Sequence, residues 1–177
     1  MNIFKGLGVA MVTPFTADKQ VDYPALQRLT EHLIENGVDY LVVQGTTGES
    51  ATIDTEEKRA ILDFILEVNN GKLPVVYGVG GNDTMAVCKI LKTWDFKGVD
   101  GILSVSPYYN KPTQEGIYQH YKVLAESTEL PIILYNVPGR TASNMSAETT
   151  LRLAKDFENI VAVKEASGDL DQISTII

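Results

Sequence analysis

The chain has 177 residues, and its 15 basic and 23 acidic side chains give a formal net charge of −8 and a pI near 4.7. This acidity argues against binding of nucleic acid or of an anionic membrane surface, since both require basic patches. Hydrophobic residues (44%) and charged residues (21%) occur in the proportions of a globular protein, which excludes a disordered chain.

Six short runs rich in β-branched residues predict β-strands, and from the second onward they recur about 30 residues apart, the length of a βαβ unit. Between them, apolar residues at helical spacing predict five helices, and residues 169 to 177 read as the start of another. The predicted strands are Gly8–Val12, Tyr40–Val43, Val75–Tyr77, Gly101–Val105, Ile132–Tyr135 and Ile160–Lys164. The predicted helices are Tyr23–Glu35, Glu56–Val68, Thr84–Asp95, Glu115–Glu126 and Ala147–Asp156.

Helix start signals agree with this pattern. Asp54 and Glu57 have the spacing of a capping box. Asp22 precedes a proline by two residues, and Ser146 lies directly before the fifth helix. The predicted boundaries therefore have local chemical support.

Strands this apolar, separated by helices, belong in a parallel α/β sheet that is covered on both faces. A doubly wound sheet is complete in 177 residues, whereas a (β/α)₈ TIM barrel needs two more units and typically about 250 residues. Periodicity alone does not decide between them, and no linker marks a second domain. In both architectures we expect the functional site where the strands end.

The second and third strands end in glycine-rich turns. Gly45–Ser50 contains Thr46 and Thr47, whose hydroxyl and backbone donors suit a carboxylate. The alternative is a plain βα turn with glycines at positive φ. After the third strand, Gly78, Gly80 and Gly81 begin like a dinucleotide motif, but its last glycine is missing, which favours a structural turn.

The fourth and fifth strands are followed by aromatic and basic side chains. Tyr108 and Tyr109 are adjacent in one loop, so at least one must be exposed or packed on a partner, which is typical of an interface. Arg140 follows the fifth strand and suits a carboxylate, although a lone arginine is often part of a surface ion pair.

Lys164 ends the sixth strand after an apolar run. Lysine is rarely buried, so we expect a functional amine whose burial lowers its pKa and makes it a nucleophile toward a carbonyl group. The alternative is a salt bridge to Glu165 or another carboxylate. Because Glu165 is adjacent on the strand, it points to the opposite face.

These strand ends together resemble the pyruvate-dependent class I aldolase (N-acetylneuraminate lyase) superfamily, and most closely the 4-hydroxy-tetrahydrodipicolinate synthase (dihydrodipicolinate synthase) family. The resemblance implies a (β/α)₈ barrel followed by a small helical domain, in a homotetramer built from tight dimers. It also implies that residues 1–177 are a partial, catalytic barrel truncated after about the sixth strand, without the remaining barrel units and the C-terminal domain. The matching segments are Gly8–Pro14, Gly45–Ser50, Ser106–Asn110, Leu134–Thr141 and Lys164–Gly168.

The same resemblance implies roles for four catalytic residues. Lys164 would form an imine with pyruvate, and Tyr135 would donate and accept protons. Thr46 and a tyrosine of the neighbouring subunit, matching Tyr109, would complete a hydroxyl relay. No cofactor is implied beyond the covalent imine.

Two further residues would bind the substrates. Thr47 would hold the pyruvate carboxylate, and Arg140 that of L-aspartate 4-semialdehyde, for lysine and diaminopimelate biosynthesis. Sialic-acid and other keto-sugar-acid lyases resemble the chain in the lysine and tyrosine but are not expected to carry this arginine. A noncatalytic binding protein of the same fold is the alternative from another functional class.

Several absences complete these expectations. No stretch approaches the roughly 18 apolar residues of a membrane span, and no leader is evident, so we expect a cytoplasmic protein without membrane contact. One cysteine, Cys88, and two histidines, His32 and His120, are too few for a structural zinc site, so we expect them to pack within helices. Trp94 is likewise interpreted as a packing aromatic.

Inhibition by L-lysine is predicted to be weak or absent. In the family this inhibition depends on acidic and histidine side chains near the dimer interface. Thr55, Lys58 and Ala86 replace such side chains here.

Overall fold

The computed structural model describes residues 3–177, so the first two residues of the predicted 1–177 domain lie outside the description. The chain forms two compact units. The first contains residues 3–78 and Phe96–Asp100, and the second contains Val79–Asp95 and Gly101–Ile177.

The first unit is a parallel three-stranded arrangement with two helices. Its strands lie in sequence order, with Gly8 opposite Tyr40 and Leu41 opposite Val75. Two short 3-10 turns, Thr46–Gly48 and Ser50–Thr52, follow the second strand. The elements are β1 (Gly8–Ala10), α1 (Tyr23–Glu35), β2 (Tyr40–Val43), α2 (Thr55–Asn69) and β3 (Val75–Gly78).

The second unit repeats this pattern with three parallel strands, again in sequence order. Ile102 lies opposite Ile132, which in turn lies opposite Ile160. The strands are β4 (Gly101–Val105), β5 (Ile132–Asn136) and β6 (Ile160–Glu165). The helices are α3 (Thr84–Thr93), α4 (Gln114–Ala125), α5 (Pro138–Thr141), α6 (Ala147–Asp156) and α7 (Leu170–Ile176).

Capping side chains explain where the helices begin. The carboxylate of Asp22 accepts a hydrogen bond from the Ala25 N–H at 2.9 Å, and that of Asp54 accepts one from the Glu57 N–H at 2.8 Å. The Ser146 hydroxyl accepts one from Thr149 N–H at 3.2 Å. All three predicted start signals are confirmed.

The core of each unit comes from strand residues buried at successive positions and from apolar helix faces. This pattern is that of parallel strands covered on both sides, as predicted. The fully buried residues of the first unit include Leu41, Ile61, Leu62, Ile65 and Val75. Those of the second include Ile102, Ile117, Leu124, Ile132 and Leu134.

Strand order within each unit is simple succession, since each strand lies beside the one before it. A (β/α)₈ barrel adds its strands in this way, and so does each half of the doubly wound order 3-2-1-4-5-6. Strand order within the units therefore leaves both architectures open, as the periodicity does.

Nine predicted boundaries are wrong by one or two residues, and the two-residue differences are at the ends of β1 and α3. β1 ends at Ala10 rather than Val12, although the Met11 N–H still donates to the Val42 carbonyl. α3 ends at Thr93, because Trp94 has extended backbone with ψ 146°. The short helix α5 was not predicted. Within residues 3–177, no helix combines the length and the apolar character needed to cross a membrane.

Candidate active site

The ends of β5 and β6 bring together the two residues expected to carry the chemistry. Tyr135 lies directly opposite Lys164 in the strand pairing, so both side chains project from the same face. The Lys164 amine nitrogen lies 4.5 Å from the centroid of the Tyr135 ring. The Tyr135 ring is buried, so packing holds it in place beside the amine.

An irregularity in β6 produces this pairing. Ile132 pairs with Ile160, but Ile133 pairs with Ala162, so Val161 is an extra residue that has no partner on β5. A regular continuation would place Val163, instead of Lys164, opposite Tyr135. The bulge therefore selects which side chain meets the phenol ring, a use of bulges that is common beside functional sites.

Lys164 is exposed, and the expectation of a buried amine is wrong for this chain. β6 pairs with β5 on one side, and within residues 3–177 no strand covers its other side. Partial desolvation still lowers the pKa of the Lys164 amine below its ordinary value. The lowered pKa favours the neutral, nucleophilic amine, as expected. The residue itself is less buried than expected.

The alternative reading of Lys164 as a structural ion-pair residue is not supported. Among the described residues the amine has no carboxylate partner. The neighbouring Glu165 carboxylate accepts hydrogen bonds from Asn136 Nδ2 at 3.1 and 3.0 Å and from Gln172 Nε2 at 2.9 Å. Glu165 thus points to the opposite face, as expected, and its charge is satisfied there.

Asn136 and Glu165 are site residues that sequence reasoning missed. Asn136 is completely buried, although it directly follows the phenol residue at a strand end. Partial burial raises the pKa of Glu165, but hydrogen bonds from Asn136, Ser167 and Gln172 outweigh it and hold that pKa below its ordinary value. A polar residue ending an apolar strand was the available signal.

In the first unit, Thr46 and Thr47 begin the 3-10 turn after β2, and both are exposed. The Gly48 N–H donates to the Gly45 carbonyl at 3.0 Å, and the Glu49 N–H donates to the Thr46 carbonyl at 3.1 Å. The turn therefore presents two adjacent hydroxyl side chains to solvent.

Buried polar groups support this turn from below. The Thr13 hydroxyl donates to the Gly48 carbonyl at 2.7 Å and accepts from Gln44 Nε2 at 3.2 Å. Positive φ occurs at Gln44 and Glu49, both 56°, whereas Gly45 has φ −72°. The alternative, a plain turn whose glycines supply positive φ, is therefore wrong about the glycines. A Cβ at Gly48 would lie 3.2 Å from the Met11 carbonyl oxygen, so close packing explains that glycine.

Tyr109 projects into solvent from the loop after β4. Its side chain is 86% exposed and its backbone has φ 72°, in the left-handed region that non-glycine residues rarely adopt. Tyr108 is also exposed. The prediction that at least one of these tyrosines is exposed or packs on a partner is confirmed, because both are exposed.

Arg140 lies in α5 and is exposed. Within residues 3–177 its guanidinium has no carboxylate partner, so the ion-pair alternative is not supported. In the second unit, a Cβ at Gly80 would lie 2.8 Å from Val105 N, which supports the structural reading of that glycine turn.

The remaining candidates for metal binding or catalysis pack in helices. His120 is buried and its Nδ1 lies 2.8 Å from the Thr84 hydroxyl, while Cys88 is buried and His32 is exposed. Across residues 3–177, no group of three His, Cys, Asp or Glu side chains is arranged to hold a metal ion.

Comparisons with known proteins point to one family. The profile of the dihydrodipicolinate synthetase family matches residues 3–177. The 4-hydroxy-tetrahydrodipicolinate synthase of Flavobacterium psychrophilum is 58% identical over all of this chain and 60% of its own length.

Two solved structures are similar over nearly the whole chain. The dihydrodipicolinate synthase of Acinetobacter baumannii, solved with pyruvate and described as chloride inhibited, is 46% identical with a TM-score of 0.93, covering 97% of this chain and 59% of that chain. A monomeric dihydrodipicolinate synthase variant is 47% identical with a TM-score of 0.94, covering 98% of this chain and 58% of that chain.

This chain therefore spans about 60% of the length of the relatives that it matches. The predicted fold class, the (β/α)₈ barrel, is confirmed for the six strands and their helices. A profile match over residues 3–177 and this level of identity lead to one conclusion: the chain belongs to the dihydrodipicolinate synthetase family.

Proposed function

We propose that the protein containing this chain condenses pyruvate with L-aspartate 4-semialdehyde to give 4-hydroxy-tetrahydrodipicolinate. One observation carries the proposal: the Lys164 amine lies 4.5 Å from the centroid of the Tyr135 ring and has no carboxylate partner among the described residues. The similar Acinetobacter baumannii enzyme was solved with pyruvate, which supports the same first substrate here.

The proposed chemistry starts at Lys164. Its neutral amine attacks the keto carbon of pyruvate, and loss of water leaves a C=N bond. The protonated imine nitrogen withdraws electrons, so the adjacent methyl group loses a proton and the intermediate becomes an enamine. The enamine carbon then attacks the aldehyde of the second substrate and forms the new C–C bond. The lowered pKa of Lys164 favours the first step.

Each of these steps moves a proton, and Tyr135 is the proposed carrier. A free phenol is a weak acid and a weak base at neutral pH, so it needs hydrogen-bonded partners that share its charge. We assign these to Thr46 and to a tyrosine of a neighbouring subunit equivalent to Tyr109. The exposure of Tyr109 supports this assignment, because an outward-facing phenol is available to a second copy of the chain.

Carboxylate binding is assigned to Thr47 and Arg140. The exposed Thr47 hydroxyl lies in the turn that Thr13 supports, and this support suits a pyruvate carboxylate. Arg140 provides a guanidinium, without a carboxylate partner within residues 3–177, for the carboxylate of the aldehyde substrate. Two cationic groups, Lys164 and Arg140, are then available to anionic substrates on a protein of net charge −8.

The remaining parts of the proposal concern assembly and regulation. A homotetramer built as a dimer of dimers fits the use of Tyr109 in trans, although one similar solved structure is a monomeric variant. Cytoplasmic location, the absence of a cofactor and weak or absent inhibition by L-lysine stay predictions. An inhibition constant well below the millimolar range would contradict the last of these.

Borohydride trapping tests the proposed function directly. The full-length protein is incubated with pyruvate and sodium borohydride, digested, and examined by peptide mass spectrometry. We expect a reduced adduct on the peptide containing Lys164, no adduct in K164A, and an unchanged adduct in the control K155R, which alters an exposed lysine of α6. An adduct elsewhere, or none in the wild type, would refute the imine mechanism and favour a noncatalytic binding protein.

The 177-residue chain alone is expected to be inactive or insoluble. β6 pairs on one side with β5, and Val161 on that strand is 42% exposed, so the open strand invites pairing with other chains. Activity and sedimentation of the purified 177-residue chain check this. Robust turnover by that chain would show the prediction to be wrong.

A further inference from the structure

The residues that follow Tyr135 and Lys164 form a second pair, directly opposite each other. Asn136 pairs with Glu165 in the register of β5 and β6. The Asn136 amide nitrogen donates to both carboxylate oxygens of Glu165, at 3.1 and 3.0 Å. Because side chains alternate along a strand, this pair lies on the face opposite to the amine and the phenol.

Asn136 is buried and is also held by hydrogen bonds to residues outside β6. Its side chain is completely buried. Its Oδ1 accepts a hydrogen bond from the Met145 N–H at 3.0 Å, and its Nδ2 also lies 2.7 Å from Asn144 Oδ1. If Glu165 were lost, Asn136 Nδ2 would keep Asn144 and Met145 as acceptors, but its hydrogen bonds from β5 to β6 would be gone.

The bulge at Val161 makes this pairing necessary. Two registers of β6 compete after Ile160: the observed bulged one and a straight one. In the straight register Lys164 would lie opposite Asn136, on the wrong face, and Val163 would replace it beside the phenol. The contact between Asn136 and Glu165 exists only in the bulged register, so it discriminates between the two.

We propose that Asn136 and Glu165 are positioning residues that hold Lys164 opposite Tyr135 by fixing the register of β6. This inference rests on the proposed function. The pair touches neither the substrate nor the reacting atoms; it acts through the strands that carry them. Removing it allows the straight register, in which the amine lies one residue away from the phenol and on the other face, to compete with the bulged one. Even misplacements of about 1 Å cost about 100-fold in rate.

The test measures the rate of borohydride-trapped imine formation, and kcat and KM for pyruvate, in the full-length protein. We expect E165A and N136A to form the imine about 100-fold more slowly. E165Q retains a carbonyl oxygen for the Asn136 amide and is expected to recover most of that loss. The matched control is Q172A, which removes another hydrogen bond to the same carboxylate, from α7 and not from the strand pair, together with the contacts of Gln172 to Asn144 and Met145. It is expected to stay close to the wild-type rate.

A reciprocal exchange separates positioning from general stability. N136D places two carboxylates face to face and should be impaired, whereas N136D/E165Q restores one carboxylate and one amide with the roles reversed. We expect the double variant to form the imine at least about 10-fold faster than N136D, at a temperature where circular dichroism shows both fully folded. This comparison also decides the matter if E165A does not fold.

The outcomes are distinct. If wild type forms no adduct, the proposed function fails. If wild type forms the adduct and E165A, N136A and N136D match its rate, the positioning role is refuted while the function stands. Equal losses in Q172A and E165A, in proportion to their stability, would also overturn the positioning role. Slow imine formation in N136D with recovery in the exchange supports it.

Discussion

The buried imidazole of His120 should make the stability of the second unit dependent on pH. Its ring is 3% exposed, with Nδ1 2.8 Å from the Thr84 hydroxyl and an edge-on contact to Tyr121 at 5.1 Å between centroids. Its Nε2 has no hydrogen-bond partner among the described residues. Burial lowers the pKa of His120 from 6.5 to about 4, because the charged ring would lose its hydration.

The sign follows from the folded pKa lying below the unfolded one. Between pH 6.5 and 4 the unfolded chain binds a proton at His120 that the folded chain does not, so stability falls as the pH is lowered through this window. The contribution is fully present above pH 6.5. The difference between the two pKa values corresponds to about 3 kcal/mol, of which about 2 kcal/mol is lost by pH 5.

Urea unfolding of the full-length protein and of H120N, at pH 7, 6 and 5, measures this effect. Asparagine places an amide near the position of Nδ1 toward Thr84 and does not titrate in this range. We expect the wild type to lose about 2 kcal/mol more than H120N between pH 7 and pH 5. Parallel pH profiles for the two proteins would refute the assignment of a neutral, desolvated His120.

Three further substitutions test local features of the fold, each by its urea midpoint. T13V leaves the Gln44 amide and the Gly48 carbonyl without their buried partner, so we expect a loss of about 2 kcal/mol together with weaker pyruvate binding; unchanged binding would show that the turn does not need this support. A142G relieves a left-handed backbone with φ 56° and should gain about 0.5 to 1 kcal/mol, whereas a loss would argue against strain there. D54A removes the α2 cap and should cost about 1 kcal/mol; no change would mean that the cap is dispensable.

The sequence predicts the regular elements well where two independent signals agree. α1 begins and ends as predicted, because the Asp22 cap and the apolar spacing of the helix coincide. β2 and β4 also match their predicted ranges. α5 has only four residues, which is too short for a helical period to be visible, and so it was missed.

Only part of the candidate site can be predicted from the sequence. Lys164, Arg140 and the Thr46–Thr47 turn stand out in the sequence, because each is an unusual side chain or turn at a strand end. The register of β6 does not, since Ile160–Val163 is uniformly apolar and carries no alternation that would define its faces. The contact between Asn136 and Glu165 depends on that register and was invisible for the same reason.

The exposure of Lys164 cannot be predicted from the residue type alone. A lysine after an apolar run was expected to be buried, but burial depends on what covers the open side of β6, and this is a property of tertiary packing. The lowered pKa of the Lys164 amine is retained, because partial burial still desolvates the amine.

Because Val161 has no partner on β5, β6 contains one residue more than a regular pairing would need. If one residue between 161 and 163 were deleted, β6 could pair with β5 without a bulge, and the lysine that is now Lys164 would still lie opposite Tyr135. If a residue were inserted instead, the strand would need a second irregularity to keep the lysine opposite Tyr135. Tolerance to changes in chain length at this point should therefore be one-sided, with shortening accepted and lengthening rejected.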